Sequence, residues 1–117
     1  MDLSKRSDFL DKMVRLAVEQ GSQEVRTMRG SGYLLSSKKR TLGKKYIVAY
    51  EIVILFNPTE KRAGALGSMI GNPDALERAM RAGGTQLNYS PGLSLDIGIT
   101  NLEVNRAHFR VLSPIGI

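Results

Sequence analysis

The sequence predicts an α+β fold: an antiparallel sheet of about four strands with two helices packed on one face. Three patterns predict it: helical spacing of apolar residues from Phe9 to Val18, a β-branched and aromatic run from Tyr46 to Phe56, and strand-like alternation in the last third. The element order α, β, β, α, β, β is typical of this class. With 117 residues, the chain is expected to form a single domain, residues 1–117.

The first helix and the first strand fill the N-terminal third. The apolar residues of the helix lie three and four positions apart, and Gly21 is placed to end it. Three polar residues could cap its N-terminus: Asp2, Ser4 and Ser7. Residues 23–35 alternate weakly and predict a strand, with a bulge expected at Gly30 or Gly32.

The run from Tyr46 to Phe56 is the strongest strand signal in the chain. It is apolar on both faces apart from Glu51, so a helix should cover one face and a second layer or another subunit the other. Glu51 itself has two interpretations. In the first it has a structural role and forms an ion pair with a neighbouring arginine or reaches a sheet edge; in the second it is a buried carboxylate with a raised pKa.

The segment after Asn57-Pro58 is rich in glycine. Residues 63–71 are apolar but contain three glycines, so we expect a loop there. The glycine spacing fits neither a phosphate-binding loop nor a dinucleotide-binding motif. A helix from Pro73 to Ala82 should follow, with Asn72 as its cap and Gly83-Gly84 ending it.

The last third predicts β-structure. Alternate residues from Leu93 to Ile99 are apolar, which indicates a strand with one face on the core. The phase of this alternation flips at Thr100-Asn101, so a bulge or a tight turn must absorb one residue. A short final strand is expected around Phe109.

Composition limits the possible chemistry. The absence of cysteine excludes thiol nucleophiles, disulfides and cysteine-based metal sites. No apolar run is long enough for a signal peptide or a membrane span, so we expect a soluble protein made in the cytoplasm.

Few residues suggest catalysis. His108 is interpreted as a partly exposed strand residue, with a general base as the alternative. Asp96 and Glu103 resemble the acidic pair of some metal-dependent nucleases, but the lysine expected after the glutamate is missing, so solvent-facing carboxylates are the other interpretation. We therefore predict no enzyme, no cofactor, no metal and no small-molecule substrate.

The net charge of +6 is unevenly placed. Residues 26–45 contain seven basic and no acidic side chains, and most lie in an expected hairpin loop with Tyr33 and Tyr46 at its base. This segment could contact nucleic-acid backbone or an acidic protein, or could simply be a solvated loop. The predicted contact residues are Arg26, Arg29, Lys38, Lys39, Arg40, Lys44 and Lys45.

Two apolar segments, residues 66–70 and residues 115–117, fall outside the predicted helices and strands. A small domain has difficulty burying such segments alone, and they commonly dock on a partner. We therefore predict subunit docking through Leu66, Met69, Ile70, Ile115 and Ile117.

The element order resembles that of small tailed-phage neck and tail proteins, the tail-terminator and tail-completion class. The resemblance rests on the leading helix, the long-tipped hairpin, the strand ending at Asn57-Pro58, the helix from Pro73 and the closing β-structure. It implies a structural protein of the virion that forms homo-oligomeric rings and contacts other assembly proteins or DNA. The alternative function is sequence-nonspecific nucleic-acid binding by residues 26–45.

Overall fold

The computed structural model describes residues 7–36, 46–82, 85–90 and 93–113. Two helices and six strands lie within these ranges. In chain order they are α1 (Asp8–Glu19), β1 (Gln23–Ser36), β2 (Ile47–Asn57), β3 (Arg62–Ile70), α2 (Pro73–Ala82), β4 (Thr85–Ser90), β5 (Leu93–Leu102) and β6 (Arg106–Val111).

The six strands form a closed antiparallel barrel in the order β1-β2-β3-β6-β5-β4. After the meander β1-β2-β3, the chain passes through α2 and returns in β4 beside β1, which is a Greek-key arrangement. The predicted open sheet of four strands with both helices on one face is therefore wrong. Closure depends on β3 and β4, the two strands that were not predicted.

Residues 62–70 form strand β3 and not the predicted loop, and one of their two glycines, Gly67, serves close packing. Gly67 lies opposite Phe109 of β6. A Cβ atom on Gly67 would be 2.4 Å from Cζ of the Phe109 ring, so only glycine fits there without movement. Glycine inside a strand often marks such a close approach.

Strand β4 pairs with β1 and β5 and closes the barrel. Leu87 and Thr85 are buried and Tyr89 packs partly against the core, whereas Gln86 and Asn88 between them point outward. This alternation is a valid strand signal, although it spans only six residues.

Helix α2 packs against β1, β4, β5 and β6 and so covers one end of the barrel. Its buried residues Ala75, Leu76 and Ala79 belong to the same core cluster as the inward side chains of the strands. Asn72 caps the helix: its Oδ1 accepts hydrogen bonds from the backbone N–H groups of residues 74 and 75, at 3.0 and 3.2 Å. The predicted helix bounds and cap are confirmed, while Gly83-Gly84 lies outside the described residues.

Helix α1 lies on the outside of the barrel. Ser7 caps it by accepting a hydrogen bond from the N–H of Leu10 at 3.2 Å, and Gly21 follows its end with a φ of +103°. Leu10 and Val14 pack against the outward residues Val53 and Leu55 of β2, in a cluster separate from the barrel core. The prediction that β2 is covered on both faces is confirmed: the barrel interior covers one face, and α1 covers part of the other.

Three register shifts interrupt the pairing of the described strands, one of them between Asn88 and Ser90 of β4. The predicted slip at Thr100-Asn101 is confirmed by a shift between Ile99 and Asn101 in the β5–β6 pairing. In β1 the shift lies between Glu24 and Arg26 and not at the glycines. Neither described helix has the length and apolar character needed to cross a membrane.

Candidate functional site

A row of buried polar residues crosses the outer face of three strands. Glu51 of β2 lies opposite Ser68 of β3, which lies opposite His108 of β6. Directly opposed residues have Cα atoms about 4.5 to 5.5 Å apart, so these side chains are neighbours. Glu51 and Ser68 have no exposed surface and His108 is 2% exposed. We call these three residues the polar row.

The polar row is only partly satisfied by hydrogen bonds. Arg29 of β1, opposite Glu51, donates from Nε to Oε2 of the carboxylate. Nε2 of His108 lies 3.2 Å from Oε1 of Glu103, and the Phe9 ring of α1 lies over the imidazole with centroids 4.4 Å apart. Three buried atoms of the polar row have no partner among the described residues: Oε1 of Glu51, Oγ of Ser68 and Nδ1 of His108.

These contacts decide between the interpretations of two residues. The ion pair predicted for Glu51 is confirmed, and its partner is Arg29. The prediction that His108 is partly exposed is wrong, because Phe9 covers its ring.

The unpaired atoms of the polar row can act as hydrogen-bond donors and acceptors. A carboxylate oxygen accepts hydrogen bonds, a hydroxyl donates and accepts, and imidazole Nδ1 does either according to its tautomer. The order Glu103, His108, Ser68 has the residue types of an acyl-transfer site, but Ser68 is fully buried and forms no hydrogen bond with His108. The described geometry therefore gives a substrate no route to the hydroxyl.

The acidic pair predicted from sequence does not form a metal site within the described residues. Asp96 is exposed and accepts a hydrogen bond from Nε2 of Gln86 at 2.7 Å, whereas Glu103 pairs with His108. No cluster of three or more histidine or acidic residues suited to a metal ion occurs among the residues described.

Helix α1 carries a second apolar stripe beside the one that packs on the barrel. Phe9, Met13 and Leu16 follow helical spacing and are offset by one position from Leu10 and Val14. Met13 is 37% exposed and Leu16 is 42% exposed. We call Phe9, Met13 and Leu16 the outer stripe.

Phe9 and Met13 of the outer stripe border a groove between α1 and the outer face of β3 and β6, whereas Leu16 lines a separate depression among charged residues of α1. A cavity of about 300 Å³ lies at the N-terminal end of α1, lined by Phe9, Met13 and His108 among others. A second cavity of about 390 Å³ lies toward the C-terminal end of the helix. Leu66 and Arg110 line both cavities, which therefore adjoin along the helix. We call these two adjoining cavities the helix groove.

The predicted basic patch is divided by the structure. Arg26 and Arg29 lie three residues apart on β1 and so point to opposite faces of the strand, and Arg29 is paired with Glu51. Five predicted contact residues lie outside the described residues: Lys38, Lys39, Arg40, Lys44 and Lys45. Of the two tyrosines expected at the loop base, Tyr33 is 49% exposed and Tyr46 is buried.

The excess of basic over acidic side chains lies outside the described part of the chain. The described residues contain ten basic and ten acidic side chains, whereas residues 1–6 and 37–45 together contain seven basic and one acidic. The barrel and its helices are thus neutral overall.

The predicted docking residues are placed mostly in the interior. Met69 has no exposed surface and belongs to the barrel core, and Ile70 is 5% exposed, so neither offers a docking surface. Leu66 is half-buried on the outer face of β3, where it contacts the α1 cluster and lines the helix groove. Ile115 and Ile117 lie outside the described residues.

Sequence reasoning missed the outer stripe and Arg110. The signal for the stripe was present, because α1 has apolar residues at seven positions that span more than one face: Phe9, Leu10, Met13, Val14, Leu16, Ala17 and Val18. No local pattern marks Arg110, since its position in the groove depends on the pairing of β3 with β6.

Comparison with protein families, with curated proteins and with solved structures gives no match.

Proposed function

We propose that this protein is a non-enzymatic structural protein that works as a homo-oligomer within a larger assembly. The observation that carries the proposal is the outer stripe, which leaves Met13 and Leu16 exposed and places Met13 beside a mostly apolar cavity. An apolar helix face next to a groove is a common protein-binding surface.

The described residues offer two surfaces for association. The β1–β4 pairing spans only Tyr33–Ser36, so residues 23–32 of β1 pair with β2 alone among the described strands and leave an edge that another chain can extend. The outer stripe offers a helical surface that can pack on another molecule. The larger assembly that we propose is a phage neck or tail, the class that the element order resembles.

Size-exclusion chromatography with light scattering tests self-association over a series of protein concentrations. We expect the wild-type protein to be larger than a monomer, and the double variant Met13→Gln/Leu16→Gln to shift toward monomer. Glutamine keeps helix propensity while removing apolar surface. Val18→Gln is the matched control, because Val18 is 47% exposed on another side of the same helix. A wild-type monomer at every concentration would overturn the proposal.

Nucleic-acid binding is a second candidate, and Tyr33 is the observation that favours it. Its half-exposed ring lies on the same face of β1 as Arg29, close to where the basic segment leaves the strand. Exposed aromatic rings beside basic residues stack on nucleic-acid bases. The same chromatography with DNA at two salt concentrations separates the candidates: a monomer with strongly salt-dependent DNA binding, lost in Lys38→Glu/Lys39→Glu/Arg40→Glu, would favour this one.

A further inference from the structure

We infer that the edge of β3 formed by residues 62–65 binds an extended acidic segment of another protein, which pairs with β3 as an added strand. We call these four residues the β3 edge. The inference goes beyond the proposed self-association, because it concerns a different surface and a partner other than a second copy. Three features of the described residues carry it: the end of the β3–β6 pairing, the cavity over that end, and two arginines without an ion pair.

Strand β3 has a neighbouring strand on only one side along the β3 edge. Its pairing with β2 extends over residues 62–70, whereas its pairing with β6 begins at Leu66, opposite Arg110. Beyond Arg110 the chain follows β5 instead, and the N–H of Leu112 donates to the carbonyl of Asp96 at 2.7 Å. The β3 edge therefore pairs with β2 alone among the described strands.

The backbone of the β3 edge can pair with one more strand. Alternate residues of a strand direct their N–H and C=O groups to the same side, so two of the four residues present these groups away from β2. An extended peptide supplies both the donors and the acceptors that match them, whereas the phosphates of a nucleic acid supply acceptors only. The chemistry of the edge thus selects a polypeptide.

The larger cavity of the helix groove gives access to the β3 edge. Residues 63–65 line it on the β3 side and Val111 lines it on the β6 side, so the cavity lies where the two strands part. A Cβ atom on Gly64 would meet nothing within 4 Å, which shows open space beside the middle of the edge. The cavity of about 390 Å³ therefore offers room for a short added strand.

The charged side chains around this cavity select an acidic segment. Arg62, Gly64 and Leu66 alternate along β3 and so share its outer face, where Arg110 lies opposite Leu66. Both arginines are exposed, and neither forms an ion pair with another described residue. Among the described residues that line the cavity, Glu60 is the one acidic residue. A carboxylate beside Gly64 lies one outward position from Arg62 and from the Leu66–Arg110 pair, so both guanidinium groups can approach it.

One wall of the same cavity is apolar. It is formed by Ala17 of α1, Leu55 of β2 and Leu66. Side chains two positions apart on a strand share a face. The segment that fits therefore has an acidic residue and, two positions away, an apolar residue that packs toward α1.

A second copy of this chain is a poor match for the β3 edge. Its own open edge, residues 23–32 of β1, holds Arg26 and Arg29 with one acidic residue, Glu24, and so supplies no net negative charge. The whole chain carries a net charge of +6, which attracts an acidic partner at long range. The partner is thus another protein of the assembly.

Titration with short peptides tests the inference by NMR spectroscopy of the isotope-labelled full chain. The probe is the acetylated and amidated peptide Thr-Glu-Thr-Val-Thr, and its matched control has lysine in place of glutamate. We expect the acidic peptide to bind several-fold more tightly than the lysine peptide and to shift the amide signals of residues 62–65. Binding should weaken as the salt concentration rises.

Two N-methylated forms of the acidic peptide test strand addition itself. One form is methylated at its odd-numbered residues and the other at its even-numbered residues, so that one form loses the N–H groups that face β3 and the other keeps them. We expect one form to bind like the unmethylated peptide and the other to lose binding. Equal binding of both forms, equal binding of the glutamate and lysine peptides, or no shift at residues 62–65 would overturn the inference.

Charge reversal on the protein locates the acidic side chain. Arg62→Glu and Arg110→Glu should each weaken binding of the acidic peptide by several-fold. The matched control is Arg78→Glu, an exposed residue of α2 at the other end of the barrel, and it should leave binding unchanged. If Arg78→Glu weakened binding as much as the other two variants, the effect would be one of net charge and the site would be wrong.

The outcomes for this surface are separate from those for self-association. A wild-type monomer that binds the acidic peptide at residues 62–65 would overturn the proposed homo-oligomer and support this inference. A wild-type oligomer that does not bind the peptide would do the reverse. Loss of self-association in Arg62→Glu, measured by size-exclusion chromatography, would show that the β3 edge binds a second copy and would overturn the inference of a different partner.

Discussion

Glu51 and Ser68 lie directly opposite each other on β2 and β3, both without exposed surface, and each has an oxygen atom with no partner among the described residues. The two side chains therefore do not satisfy each other although they are neighbours. A buried polar atom without a hydrogen bond lowers the free energy of unfolding by about 1 to 3 kcal/mol. The row beneath α1 is thus a place where the fold carries a local energetic penalty.

Removing the Ser68 hydroxyl should relieve part of this penalty. We expect Ser68→Ala to raise the free energy of unfolding by about 1 kcal/mol, because alanine leaves no unsatisfied oxygen. Urea denaturation measures the change. Ser31→Ala, at an exposed position of β1, is the control and should change little. A loss of stability in Ser68→Ala would mean that the hydroxyl is hydrogen-bonded to a bound molecule in solution.

Arg29 should matter to stability far more than Arg26, although both lie on β1. Arg29→Met removes the cation beside the buried carboxylate of Glu51, so we expect a loss of about 2 kcal/mol; the side chain of Arg29 is 49% exposed, and water moderates the effect. Arg26→Met, on the other face of the strand, is the matched control and should change stability by less than about 0.5 kcal/mol.

The double variant Arg29→Met/Glu51→Leu tests the cause of that loss. It replaces the ion pair by two apolar side chains and should recover most of the stability lost in Arg29→Met, because no charge is left buried. Urea denaturation of the wild type, Arg29→Met, Glu51→Leu and the double variant forms a double-mutant cycle. A double variant no more stable than Arg29→Met would show that the loss comes from packing and not from an unpaired carboxylate.

The elements with strong local patterns were predictable, and closure of the barrel was not. α1, β2 and α2 follow from periodicity and caps, and the bulge in β5 follows from the phase of its apolar residues. The closing contact pairs Tyr33 with Asn88, far apart in the chain, and no local pattern reports such a pairing. The glycines of β3 predict a loop, because the reason for Gly67 lies on another strand, at Phe109.

The candidate site was predictable only at single positions. Glu51 is conspicuous in the sequence as the one charge in an apolar strand, and its ion pair was expected. That Ser68 and His108 lie beside it depends on the registers of β2 with β3 and of β3 with β6. Register is fixed by long-range packing, so the polar row and the helix groove emerge only in the folded chain.

Two glycines of β3 should respond in opposite ways to the same substitution. In Gly67→Ala the new Cβ would lie 2.4 Å from the Phe109 ring and 2.8 Å from the carbonyl oxygen of Glu51. We expect a loss of about 2 kcal/mol in the free energy of unfolding, since the core must move to accept it. Gly64→Ala meets nothing within 4 Å and should be neutral or gain about 0.5 kcal/mol. Equal effects in urea denaturation would contradict the close packing of β3 on β6.

Tyr50 should make the protein less stable at alkaline pH. Burial, and after it the neighbouring Tyr89, raises the pKa of Tyr50 above its ordinary value of 10.0. The unfolded chain therefore releases this proton at lower pH than the folded one, and stability falls as pH rises from about 10 through the folded-state pKa.

Tyr50→Phe should flatten this fall in urea denaturation between about pH 9 and about pH 11. It should also lose about 1 kcal/mol near neutral pH, because the hydroxyl donates to the carbonyl of Tyr89 at 3.3 Å. Tyr33→Phe, at a half-exposed ring, should keep the wild-type slope, and an unchanged slope in Tyr50→Phe would show that another group causes the alkaline loss.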